Sequence, residues 1–274
     1  MLATKYTNAM PGGDPNAAGN HRKNMAQALD ASLRRLKTDY IDLYWLHIWD
    51  FLTPVEEVMR AFDDAVRSGK VLYAGISDTP AWVAARGNTM AELRGWTQFV
   101  GLQIEYSLAE RTPERDLLPM ADSLEIAVTA WSPLAGGLLT GKYAGQPQGK
   151  QQGGRYEHAD MKQFAAVDDR KAAIADAVRA VAQEVGRSPA QVALAWLLRR
   201  PYRVPVIPIV GARKLAQVQD NLACVDVQLS GDHLRRLEEA SGIELGFPHD
   251  FYAKDMVRGL AYGGMRDKID ARPR

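Results

Sequence analysis

The chain has 274 residues, enough for one α/β barrel or two small domains, and its 46% hydrophobic and 24% charged residues strike an ordinary globular balance. A net charge of +1 with no Lys/Arg block gives no reason to expect nucleic acid or an acidic membrane as partner, and no apolar run approaches the roughly 20 residues of a membrane span. No basic-then-apolar leader is visible and Cys224 is the only cysteine, so a disulfide framework is excluded, the cytoplasm is the expected compartment, and Cys224 in Leu222-Ala223-Cys224-Val225 reads as a buried structural thiol.

Short runs rich in Val, Ile, Tyr and Trp alternate with stretches of helical period. In chain order the expected strands are Met1–Lys5, Tyr40–His47, Val71–Ser77, Phe99–Glu105, Ala127–Ser132 and Val206–Gly211. Helices are expected near 22–36, 54–68, 80–95, 113–124, 170–185, 188–199 and 214–223. Thr53-Pro54, Thr112-Pro113 and Ser188-Pro189 place a capping hydroxyl before a proline suited to the first helical position.

Strand–helix alternation with continuously apolar strands, repeating about every 30 residues, predicts a parallel sheet covered on both sides. A doubly wound nucleotide-binding sheet would carry GxGxxG after its first strand. The sequence has none there, which favours a single (β/α)8-type barrel domain over residues 1–274. The Gly-rich, polar stretch 144–169 is expected to be a flexible loop, either folding over a ligand or without a role, and 243–274 an irregular segment with exposed Phe247, Phe251 and Tyr252. Only six strands are legible and the first begins at Met1, so the barrel is expected to be incomplete, with about six βα units.

In a barrel the working residues lie at the C-terminal ends of the strands. Those ends carry Lys5, His47, Ser77-Asp78, Gln103 with Glu105, Trp131-Ser132-Pro133-Leu134, and Gly211-Ala212-Arg213 opening a helix. Trp131 offers a stacking face and the last helix start an anion site. Each residue alone also fits a structural role: a solvated lysine, a satisfied histidine, a core tryptophan. Arg213 is misplaced against the helix dipole unless it serves an anion. Pattern and spacing stop at a barrel with a polar mouth.

Six blocks carry more. They are Thr4-Lys5, Tyr40-Ile41-Asp42-Leu43-Tyr44 ending in His47, Gly69-Lys70-Val71 with Gly75-Ile76-Ser77, Gln103-Ile104-Glu105-Tyr106-Ser107-Leu108, Trp131-Ser132-Pro133-Leu134 with Leu139-Thr140-Gly141-Lys142-Tyr143, and Pro208-Ile209-Val210-Gly211-Ala212-Arg213 leading to Asn221. In this order, over nearly the whole chain, they resemble the aldo-keto reductases. The resemblance implies an NADP(H)-linked carbonyl reductase acting on small-molecule aldehydes or ketones. By position, Ser77 and Gln103 would hold the nicotinamide carboxamide, with Asp78 standing where the family usually has Asn. Trp131 would stack on the nicotinamide. Ser132, Pro133, Leu134, Ala135 and Gly136 would line the pyrophosphate, with Lys142 nearby. Gly211, Arg213, Gln217, Asp220 and Asn221 would hold the adenosine and its 2′-phosphate. A guanidinium suits a phosphate dianion, so Arg213 argues for NADP over NAD.

The family's chemistry uses Asp, Tyr, Lys and His. Lys5 and His47 match the last two. The Asp and the general-acid Tyr belong to segments before the Lys-bearing strand, so the resemblance implies that both are missing here. No metal site is expected. Two functions stay open: a reductase that is truncated and slow as given, or an NADP(H)-binding sensor or regulatory subunit that reduces nothing, as the family's potassium-channel β subunits illustrate. A gene fragment without a selected role is the third reading. Self-association across the open barrel is the expected partner interaction.

Overall fold

The computed structural model describes residues 1–9, 13–142 and 168–270. The loop expected at 144–169 therefore lies outside the described residues, apart from Asp168, whose carboxylate accepts from the Lys171 amide at 2.7 Å to cap a helix, and Asp169. The chain divides into two compact units. The first takes in residues 1–105, 120–131 and 200–210, the second 106–119, 132–199 and 211–274.

The first unit contains the whole sheet. Its strands are β1 (Ala3–Tyr6), β2 (Ile41–Leu46), β3 (Val71–Ser77), β4 (Phe99–Glu105), β5 (Ala127–Trp131) and β6 (Val206–Pro208). All are parallel and lie in sequential order from β1 to β6. Helices α1 (Arg22–Leu36), α2 (Val55–Arg67) and α3 (Ala81–Arg94) alternate with the first four strands. Six parallel strands with alternating helices make an incomplete (β/α)8 barrel, as the repeat length predicts.

The two-residue period of a strand sorts the sheet into two chemically different faces. Tyr6, Tyr44, Leu46, Ala74, Ile76, Leu102, Ile104, Val128 and Ala130 fall on one face, none more than 3% exposed. Tyr6 and Tyr44 stack on each other, and Phe62 of α2 meets both edge-on and then Phe99 at 5.4 Å. This is the helix-covered face, and burying it stabilises the unit at about 25 cal/mol per Å² of apolar surface.

On the other face Lys5, Trp45, Gly75 and Gly101 stand side by side in register. The Trp45 ring, 3% exposed, lies across the two glycines. A Cβ on Gly75 would stand 2.4 Å from its ring, and one on Gly101 would stand 2.8 Å away. Next along the same face come Ser77, Gln103 and Thr129. Polar side chains fasten the elements: buried Asn88 of α3 donates to the Phe99 carbonyl at 3.0 Å and accepts from the Phe99 amide at 2.8 Å, and buried Asp63 of α2 accepts from Thr97 N at 3.0 Å and Arg67 Nε at 2.7 Å.

The second unit holds α5 (Asp169–Val185), α6 (Pro189–Leu198), α7 (Leu215–Leu222) and α8 (Gly231–Ser241), and α4 (Leu117–Ser123) straddles the division between units. Its interior contains a polar knot around Arg111. The guanidinium grips Glu114 through two 2.8 Å bonds, donates to Ser241 Oγ at 2.9 Å, pairs with Glu238 at 2.6 Å and lies 5.4 Å from the Trp196 ring centre. Tyr106 and Trp196 donate to the same two carboxylates. Every charge here has a partner, the condition under which a half-buried ion pair is tolerated.

Several boundaries differ from expectation. Strand β6 ends at Pro208 rather than Gly211. Ser188 caps α6 as expected, in a capping box with Gln191, but Pro54 is the residue flanking α2 and Thr53 instead donates to Asp50. Thr112-Pro113 opens a single 3₁₀ turn. The 243–274 segment is not wholly irregular: it contains α9 (His249–Tyr252) and α10 (Asp255–Tyr262), while Phe247, Phe251 and Tyr252 are exposed as expected. Helix α8, which the apolar period did not show, has Ser230 as its cap.

The contact between Trp45 and the glycines gives a direct test. Gly75→Ala should destabilise the chain by about 2 kcal/mol or more, since overpacking a close-packed site costs roughly 1–3 kcal/mol. Gly231→Ala, with nothing within 4 Å of its added methyl, should stay within about 1 kcal/mol of the parent. Urea unfolding curves of the two variants are the measurement.

Candidate functional site

Within the first unit, the C-terminal ends of β1 to β5 bring together five of the expected residues: Lys5, Ser77, Asp78, Gln103 and Trp131. Lys5 Nζ donates to Gln103 Oε1, and Gln103 Nε2 donates to Thr129 Oγ1 at 3.2 Å, so the amide is fixed from both ends. Trp131 Nε1 donates to Asp78 Oδ1 at 3.0 Å, which sets the plane of the indole. Asp78 sits just past β3 with a positive φ of 41°, a conformation that Asp tolerates better than most residues. Ser77 is fully buried, and its Oγ has no hydrogen-bond partner. It lies close enough to the Asp78 carboxyl to favour the charged form, yet the pair does not reach hydrogen-bond geometry.

The charges respond to this crowding. Burial holds the Lys5 ammonium below the usual lysine range, and the Asp78 carboxylate partly offsets that. Burial, followed by the Lys5 charge, lowers the His47 imidazole, again against Asp78. Burial pushes the Asp78 carboxyl up, while the Trp131 hydrogen bond and the Lys5 charge pull it down. Lys5, His47 and Asp78 thus form one coupled electrostatic group.

The His47 backbone is held from β1: its amide donates to Tyr6 O at 3.2 Å and to Thr7 Oγ1 at 3.3 Å. Just beyond it, Asp50 ties two strand exits together, accepting from Asn20 N at 2.7 Å, Leu52 N and Thr53 N at 2.9 Å, and Thr53 Oγ1 at 2.7 Å. Sequence reasoning passed over Thr129, Thr7 and Asp50. Strand parity would have found Thr129, two residues before Trp131. Asp50 and Thr7 act through loop backbone, which leaves no periodic trace. Tyr6 of β1 and Tyr44 of β2 serve the other face: the Tyr6 hydroxyl donates to Asn20 O and the Tyr44 hydroxyl to Met25 O.

The remaining expected residues belong to the second unit. Ser132, Ala135, Gly136 and Gly137 all have positive φ, so the segment after β5 runs through consecutive tight turns, with Ala135 N donating to Ser132 O at 2.8 Å. Pro133 is buried, and Leu134 O accepts from Gly137 N and Leu139 N. The Lys142 side chain runs so close over Gly137 that a Cβ there would meet its ammonium end at 2.7 Å. Non-glycine residues held at positive φ cost on the order of 1 kcal/mol or more, a strain found where backbone is shaped for a ligand.

Around α7, Gly211 and Arg213 are exposed, and the Arg213 guanidinium makes no ion pair with a described residue. Gln217 Oε1 accepts from Arg213 N at 2.8 Å and Lys214 N at 3.2 Å, so it caps the helix. Asp220 is occupied too: it accepts from Ser188 Oγ and Gln191 Nε2, both at 2.9 Å, joining α7 to the start of α6. Asn221 is buried beside it in sequence. Cys224 is buried, and burial raises its thiol pKa, consistent with a structural role.

Known proteins share this sequence over most of its length. The sequence model of the Aldo/keto reductase family matches residues 1–241. Norsolorinic acid reductase of Aspergillus flavus is 34% identical over 257 residues, which is 92% of this chain and 62% of that protein. Norsolorinic acid reductase B of Dothistroma septosporum is 34% identical over 265 residues, 94% of this chain and 65% of its own. The NADP(+) aryl-alcohol dehydrogenase of Phanerodontia chrysosporium is 36% identical over 236 residues, covering 84% and 60%. The chain thus spans under two thirds of the length of these relatives. With its six-stranded parallel sheet and a match over residues 1–241, the chain belongs to the aldo/keto reductase family.

Proposed function

We propose that the chain binds NADP(H) and carries part of the machinery that reduces small carbonyl compounds, aromatic aldehydes and ketones foremost, in the cytoplasm. The observation that carries the cofactor reading is the pairing of a buried, unpartnered Ser77 Oγ with a fixed Trp131 indole at the sheet end. A buried hydroxyl without a partner costs about 1–3 kcal/mol, a debt that a nicotinamide carboxamide would cancel. The indole offers that ring a flat apolar face. In the second unit the turns Ser132–Gly137 suit a pyrophosphate, and the exposed Arg213 suits a 2′-phosphate. Asp220 and Gln217 act in this reading by shaping α7 rather than by meeting the nucleotide, since their carboxylate and carbonyl oxygens are already engaged.

The bound dinucleotide supplies the hydride. Lys5 places a positive charge at the sheet end, and the lowered pKa of His47 keeps its imidazole neutral near pH 7, able to donate one N–H towards a carbonyl oxygen. In this reading the family's general-acid Tyr is not among the described residues gathered with them, which are Ser77, Asp78, Gln103 and Trp131. Exposed Phe51 and Trp82 flank the loops that follow His47 and Asp78, and relatives named for aryl alcohols and norsolorinic acid favour an aromatic substrate. The second reading, an NADP(H)-binding subunit without turnover, draws on the same geometry, because the described residues gathered with Lys5 and His47 include no tyrosine.

Binding and turnover separate these readings. Fluorescence titration should show NADPH binding more tightly than NADH, and Arg213→Ala should weaken NADPH selectively, by about 1–3 kcal/mol for a charge-assisted phosphate contact. Equal affinities would remove the 2′-phosphate assignment.

Carbonyl reduction by the chain as given should be very slow, because general acid catalysis contributes roughly 10²–10⁴-fold. An assay of NADPH oxidation with nitrobenzaldehyde tests this. A turnover number within the ordinary range of about 1–10³ per second would show that another group supplies the proton.

Among the described residues β1 and β6 end the sheet, and the β6 edge carries exposed Ile207, followed by exposed Ile209 and Val210. We expect these short apolar edges to pair with a second copy, since an unpaired strand edge is a template for another chain. Sedimentation at micromolar concentration should show a dimer or larger species; a monodisperse monomer would rule this out.

A further inference from the structure

NADP⁺ and NADPH share every phosphate, both riboses and the adenine. They differ in charge only at the nicotinamide, which is cationic when oxidised and neutral when reduced. A protein distinguishes the two by the fixed charges it places around that one ring. The charged or titratable groups at the sheet end are Lys5, His47 and Asp78, which act on one another, and Glu105, in register with Trp131 at the end of β4. The His47 imidazole is held towards its neutral form, and a cation on β1, Lys5, faces an anion just past β3, Asp78.

These two are not equivalent in position. Lys5 Nζ is tied to Gln103 Oε1. The Asp78 carboxylate is tied to the indole itself, Oδ1 to Trp131 Nε1 at 3.0 Å. A ring stacked on that indole lies within a few ångströms of the carboxylate, whichever way it is turned. The bond to Trp131 leaves the charge of Asp78 in place while fixing where it stands.

We propose that Asp78 biases this site towards the oxidised nucleotide, so that it holds NADP⁺ more tightly relative to NADPH than a neutral residue there would allow. The inference rests on the assignment of Trp131 as the nicotinamide platform. It follows from charge alone: the carboxylate attracts the pyridinium ring and is indifferent to the dihydropyridine. Replacing it with an amide removes the carboxylate that offsets Lys5, and Lys5 repels the cationic ring. Both consequences push the ratio the same way. Two unit charges a few ångströms apart near a surface interact strongly enough, at an effective dielectric constant of about 20, for a change of roughly tenfold. For a two-electron couple that corresponds to about 30 mV in the potential of the bound nucleotide.

The experiment compares dissociation constants of NADP⁺ and NADPH, by calorimetry at fixed ionic strength, for the parent chain, Asp78→Asn and Arg213→Ala. Asn retains an oxygen able to accept from Trp131 Nε1, so the indole keeps its anchor, and an unchanged tryptophan emission maximum verifies this. Asp78→Asn should raise the ratio of the NADP⁺ to the NADPH constant about tenfold. Arg213→Ala should weaken both nucleotides equally and leave the ratio where it was. If Asp78→Asn weakens both nucleotides alike, or changes neither, Asp78 acts only as a scaffold for Trp131 and the proposal is overturned while the cofactor assignment stands. If the parent binds neither nucleotide, the cofactor assignment fails and takes the proposal with it.

Discussion

A tryptophan can lie flat on a parallel sheet only where the neighbouring strands give up their side chains. Trp45 does this across Gly75 and Gly101, at distances that exclude even a methyl group on either. The consequence runs outward from there. With Trp45 filling this level of the non-helical face, the next level, holding Ser77, Gln103 and Thr129, stands on a buried aromatic floor. The register that aligns Trp45 with the glycines also aligns Lys5 and, one step on, Ser77 with Gln103. Packing and chemistry are therefore set by one register, and a slip of one residue would exchange both faces at once.

The fold was legible in the sequence wherever a period governed the chain. The middle strands, Val71–Ser77 and Phe99–Glu105, fall where the apolar runs end, because both flanks are marked by a change to polar residues. Helix α8 escaped because its apolar contacts reduce to few positions, with Leu237 the one deeply buried, and because its cap, Ser230, closes on a histidine rather than the usual Glu or Gln. Thr53 read as a helix cap because its hydroxyl precedes a proline. In the fold that hydroxyl is drawn off by Asp50, a tertiary contact invisible to local pattern.

The site was legible in its strand-borne members and less so in its loops. Lys5, Ser77, Gln103 and Trp131 are gathered because they share a face at the same end of neighbouring strands, which parity alone dictates. What parity could not show is how each is occupied. Gln103 is held by Lys5 and Thr129, Gln217 caps its own helix, and Asp220 braces α6. Residue identity alone did not distinguish these from Ser77 and Arg213. The pressure on Asp78, caught between burial and the favourable influence of Trp131, Lys5, His47 and Ser77, likewise exists only once β1, β2, β3 and β5 are assembled.

The Arg111 knot has a bearing on how the chain acquires its structure. Glu114 and Tyr106 are near neighbours in sequence and can meet Arg111 early, but Glu238 and Ser241 lie 127 and 130 residues away. During synthesis at about 5–20 residues per second, Arg111 waits several seconds with half its shell unfilled before α8 emerges. Contacts of such long span raise the entropy of closure that folding must overcome. It also makes α8 a clasp: once seated, it can leave only by uncovering a guanidinium, two carboxylates and an indole together. Hydrogen exchange would therefore find its amides released with those of the segment around Arg111 in a single cooperative opening.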